Sequence, residues 1–156
     1  MNPHRLTPYA ALAVLALGFD APSRAAELSG TQTLASPHDF AALVAKLEAA
    51  VTEHKMAVVA RASASQGAAG RGVKIPGNAV IMVFRNDFAV RMLEASVSAG
   101  IEAPLRFYVT ETADGKASLT WRAPSAIFAP YGSVPLDAMA RELDPIFAAI
   151  AHDAVR

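Results

Sequence analysis

The run from Ala79 to Trp121 leaves a folding chain few choices. Ala79 to Phe84 (AVIMVF) is an unbroken apolar segment, rich in β-branched and aromatic residues and short enough for a central strand. Asn86 and Asp87 are placed to cap a helix over the next residues, and Gly100 stands where a helix C-cap belongs. Leu105 to Glu111 and Lys116 to Arg122 are strand segments flanking Asp114-Gly115, a strong hairpin signal. The result is a β-α-β-β unit. Such a scaffold does not by itself define an activity.

The N-terminus has the three-part layout of a secretory leader. A short basic segment, Met1 to Arg5, precedes an apolar core from Tyr9 to Phe19, and small residues follow at Ser23 and Ala25. The core is too short to span a bilayer, which needs about 20 apolar residues. Residues 1–25 are therefore expected to be a signal peptide, with residues 26–156 forming a single domain that is periplasmic or secreted. No stable membrane anchor is expected after cleavage, and the absence of cysteine argues against a lipoprotein.

Composition narrows the function classes. The 14 Lys and Arg residues balance 14 Asp and Glu residues and are interspersed with them, so no nucleic-acid footprint is expected. With no Cys, the chain has no disulfide, thiol catalyst, iron–sulfur cluster or covalently attached c-type haem. Its stability must come from packing.

In chain order, Leu28 to Ala35 reads as a first, edge strand. Ser36-Pro37-His38-Asp39 reads as a helix start, with Ser36 as N-cap and Pro37 at the first helical position. Phe40, Leu43, Val44, Leu47 and Val51 recur at helical spacing, with His54 at the end of the same stripe. Met56 to Ala62 is a second strand. The Gly/Ala/Ser-rich stretch from Ser63 to Asn78 is either a short helix before Gly70 or a mobile flap. It lacks the dinucleotide and Walker spacings, despite Gly70-Arg71-Gly72. Past Trp121, a turn of helix is expected at Ser125 to Ala129. A terminal helix carries Leu136, Met139, Ala140, Leu143, Phe147 and Ile150, with a kink or break near Asp144 because of Pro145. The fold class is α+β, a mostly antiparallel sheet with helices packed on one face, in the order β-α-β-β-α-β-β-α.

Helix 37–53 with its following strand, Ala103-Pro104-Leu105-Arg106, Asp114-Gly115-Lys116 and the run Ala123 to Gly132 together resemble the domain of unknown function 302 family, roughly from Ser36 to the C-terminus. The resemblance implies a compact α+β domain, often dimeric, with no agreed biochemical activity. Many members carry Asp-His where this chain has Ser63-Ala64, and a His where it has Tyr131. A metal or haem site built on those histidines would be missing here.

The candidate chemistry is sparse. His38, His54 and His152 lack metal-ligand spacing. Met56, Met82, Met92 and Met139 read as core residues, although a thioether can ligate haem or copper(I). Glu94, Glu102 and Glu111 sit singly, which gives no paired carboxylates. Arg61, Arg85, Arg106 and Arg122 lie at strand positions or ends, where they either reach water or pair with nearby acids, or else bind a carboxylate or phosphate bidentately, with Trp121 or Tyr108 as floor. The expected ligand-binding residues are Arg106, Trp121, Tyr131, Arg61 and Arg85, with no catalytic or metal residues. The expected function is a non-enzymatic module for a small molecule or protein partner, with a homodimer open. The alternatives are a haem or metal binder using Tyr131 and a small-molecule hydrolase.

Overall fold

Periodic burial of apolar side chains builds the chain into two layers. The computed structural model describes residues 28–156, and the expected leader over residues 1–25 lies outside them. Five strands, β1 (Thr31–Ser36), β2 (Ala57–Ala62), β3 (Asn78–Phe84), β4 (Leu105–Glu111) and β5 (Ala117–Arg122), form one sheet in the order β1-β5-β4-β3-β2. Every pairing is antiparallel. Three long helices are α1 (Phe40–Glu53), α3 (Asn86–Ala95) and α5 (Val134–Val155), and α2 (Ala64–Ala69) and α4 (Pro124–Phe128) are short. The chain is thus α+β, with two short helices added to the expected order. No helix among the described residues is long and apolar enough to cross a membrane.

The period of two along a strand decides which face is buried. Ala79, Ile81 and Val83 of β3, Leu105, Phe107 and Val109 of β4, and Ala117, Leu119 and Trp121 of β5 all point into the helical layer and are buried. They meet Leu43, Leu47 and Val51 of α1 and Leu136, Leu143, Phe147 and Ile150 of α5. At the centre, Phe107 stacks on Phe147 with ring centroids 4.9 Å apart and an 18° interplanar angle. Trp121 tilts against the same ring at 6.2 Å. The opposite face, with Val80, Met82, Arg106, Tyr108 and Thr120, is only partly covered or exposed. Met82 therefore belongs to the open face rather than the core, while Met56, Met92 and Met139 are buried.

Several local expectations shift. Ser36 ends β1 instead of capping α1, because it stays in the ladder opposite Ala117 and Pro37 disfavours a helical conformation before it. Its hydroxyl accepts from the His38 amide at 3.1 Å, and Asp39 caps α1 by accepting from Ala42 at 2.8 Å. Asn86 is the first residue of α3 rather than its cap, and the N-cap position, Arg85, makes no side-chain cap bond. Asp87 instead accepts from Arg85 Nε at 2.8 Å in the first turn, where the helix dipole favours a negative charge. Gly100 lies inside a 3-10 turn (Val97–Glu102), since α3 ends at Ala95 and Ser96 is extended. The Ser63–Asn78 stretch holds α2, capped by Ser63. Pro145 neither breaks α5 nor divides it. It sits on the exposed side, so the carbonyl it cannot serve lies toward water, and burial on both sides of it holds the helix together.

Edge strand β2 is mostly exposed and carries a register shift between Val58 and Ala60. The hairpin between β4 and β5 turns at Gly115, whose φ of 77° suits a residue without Cβ.

At the far end of the helical layer, His54 Nε2 lies 2.8 Å from Asp153 Oδ2, and Arg156 donates to the other oxygen at 3.1 Å. The His54 bond, ahead of the nearby positive charges, holds the Asp153 carboxyl below its ordinary value of 3.8. A lowered acid stabilises the fold above its ordinary value, and that contribution is lost as pH falls through the lowered one. Asp153→Asn is expected to reduce the melting temperature above about pH 5, with the difference from the parent narrowing as pH falls below the ordinary value of 3.8. Thermal unfolding followed by circular dichroism across that range checks it.

Candidate functional site

The hairpin register places two arginines on the open face. Phe107 pairs with Trp121 and Tyr108 with Thr120, so Arg106 and Tyr108 of β4 share a face with Thr120 and Arg122 of β5. Thr120 is fixed by a 2.9 Å hydroxyl–hydroxyl bond to Thr33 of β1. Together with Thr31, Glu102 and Ile127, these residues line a cleft of about 310 Å³. Tyr108 presents its ring there, 42% exposed.

The electrostatics of the cleft are unbalanced. Among the described residues, Arg122 donates only to backbone carbonyls, Nε to Ser29 at 3.3 Å and Nη2 to Ala126 at 3.5 Å. Arg106 has no hydrogen-bond or ion-pair partner among the described residues, and no carboxylate lies within ion-pair distance of either guanidinium. Two guanidiniums on one sheet face that are tied up in no ion pair attract anions and present bidentate donors to a carboxylate or phosphate.

Of the five residues expected to bind a ligand, the cleft gathers Arg106 and the edge of Trp121. The Trp121 ring is 4% exposed and packs in the core on the other side of β5, so the aromatic floor is Tyr108. Tyr131 adjoins the cleft without lining it: its hydroxyl donates to Glu102 Oε1 at 3.0 Å, and its ring lies 6.4 Å from Phe128. Burial, and then the bond to Glu102, push its phenol pKa up. Arg61 is in register with Ile81, on the helical side of the sheet, and lies 3.7 Å from Glu48. Arg85 is held by Asp87 with its guanidinium 4.1 Å above the Phe88 ring. Neither of these two arginines reaches the cleft. Arg122, Tyr108 and Glu102 complete it. Strand parity was the available signal, since Arg122 and Trp121 are adjacent and must face opposite ways.

Elsewhere, Ser63 and Ser65 line an open polar groove with Arg61 and Glu111. Their hydroxyls cap α2 and hold the Asn78 backbone, with no His or Lys partner among the described residues. No group of three or more His, Asp or Glu able to hold a metal occurs among the described residues.

A two-layer α+β domain with a bare, arginine-bearing sheet face is the class this geometry defines. The family described as "Domain of unknown function DUF302" matches residues 32–150, and the chain belongs to it. Its fold is similar to that in the "Crystal structure of uncharacterized conserved protein DUF302 from Bacillus stearothermophilus", with a TM-score of 0.73 at 16% identity. The likeness covers 82% of this chain and 99% of that one. No curated protein matches the chain.

Core and cleft residues should separate in stability measurements. Trp121→Ala is expected to cost about 3–5 kcal/mol, as for a buried aromatic. Arg106→Ala, which loses no partner, is expected to stay within about 0.5 kcal/mol of the parent. Urea unfolding of the two variants checks both.

Proposed function

We propose that this chain is an exported, non-enzymatic binding domain whose open sheet face takes a small anion with a flat apolar body. The carrying observation is the pair Arg106 and Arg122, neither held in an ion pair among the described residues, flanking the exposed Tyr108 ring in one cleft. A volume of about 310 Å³ falls at the lower end of the range of roughly 300–1,000 Å³ for small-molecule sites. A carboxylate or phosphate bridges the two guanidiniums, and an attached ring lies on Tyr108. Among the described residues lining the cleft, none is arranged as a nucleophile beside a base, and the reading is binding rather than turnover.

Export is part of the proposal. Fractionation of cells expressing the full chain is expected to leave a form shortened at about residue 25 outside the cytoplasm, read by intact mass; a full-length cytoplasmic product would refute it.

Binding is tested by titrating 3-phenylpropionate and phenyl phosphate into isotopically labelled protein. Saturable amide shifts at Arg106, Tyr108 and Arg122 are expected, weakened about tenfold in Arg106→Ala, the loss that removing one charge-assisted bond brings. Shifts that never saturate, or that ignore the substitution, would sink the idea.

A further inference from the structure

Among the described residues, Glu102 is the one acid lining the arginine cleft, and it pairs with neither arginine. It ends the 3-10 turn Val97–Glu102 and is half-buried there. The Tyr131 hydroxyl fixes it, donating to Oε1 at 3.0 Å, and Oε2 has no donor among the described residues. Tyr131 is itself seated against Phe128, which is buried in the core, so the carboxylate is anchored to the interior and faces the cleft. Burial keeps that phenol protonated and therefore a donor throughout the neutral range.

A fixed carboxylate beside two guanidiniums with no ion-pair partner among the described residues suits a simple anion less well than a ligand that also carries a positive group. The anion gains two donors but meets a like charge, whose repulsion is not diluted because Glu102 is held in place. A ligand that also carries a positive group satisfies all three charges at once. Complementary charges across a site select a partner as much by what they repel as by what they attract.

We infer that the ligand of this cleft is a small zwitterion, such as an amino acid: its anionic group on Arg106 and Arg122, its ammonium on Glu102 and its side chain on Tyr108. The inference rests on the binding function proposed above and names the ligand class. Tyr131 takes the part of a positioning residue, keeping Glu102 on the cleft wall.

The test compares L-phenylalanine with 3-phenylpropionate, which differ by the ammonium group alone, by calorimetric or NMR titration of the full chain. The parent protein is expected to bind L-phenylalanine about tenfold more tightly, the preference one charge-assisted contact supplies. Glu102→Gln keeps an acceptor for Tyr131 and removes the charge, and it should bring the two affinities within about twofold by weakening one and strengthening the other. Tyr131→Phe should give an intermediate ratio. Equal affinities in the parent, or an equal loss for both ligands in Glu102→Gln, would overturn the zwitterion inference and leave the anion site standing. If neither compound nor phenyl phosphate binds, the binding function falls with it.

Discussion

The stack of Phe107 on Phe147 ties the middle strand of the sheet to the terminal helix, and much of the architecture follows from it. Both rings are fully buried, and Trp121 leans on Phe107 from the neighbouring strand. Once the helices gather over these rings, the apolar halves of β3, β4 and β5 are committed to one side. The other halves must then face outward, because strand side chains alternate. The open face, and the cleft on it, are thus products of the core. Arg106 and Tyr108 are exposed because Phe107, between them, is buried.

The same alternation marks how far the sequence could be read. Strands, long helices and the Asp114-Gly115 hairpin were legible because each rests on local periodicity or turn chemistry. Helix boundaries were less so. Ser36 and Asp39 are both good caps, and only the pairing of Ser36 with Ala117, far along the chain, decides between them. Pro145 looked like a break because its helical-wheel position, outward-facing and wet, becomes visible only once the buried stripe is known.

The site was half legible. Arginines at strand positions are recognisable in the sequence, and Arg106 is one that lines the cleft. Trp121 was attractive as a large aromatic, although its parity with Phe107 and Leu119 places it inward. Arg61 and Arg85 are neutralised by Glu48 and Asp87, partners that depend on the α1 packing and on the first turn of α3. Glu102 and Tyr131 are 29 residues apart, and nothing local announces their bond. At position 131 this chain places a phenol whose hydroxyl already serves a carboxylate.

The register shift in β2 has a consequence for how the molecule behaves in a crowd of its own kind. A sheet ending in a short, exposed strand of alanine and valine offers its free backbone groups to any passing extended chain. The displacement between Val58 and Ala60 breaks the even spacing that such a chain would need. Without cysteines to lock the fold, such an irregularity works against the edge-to-edge pairing that leads to fibrous aggregation.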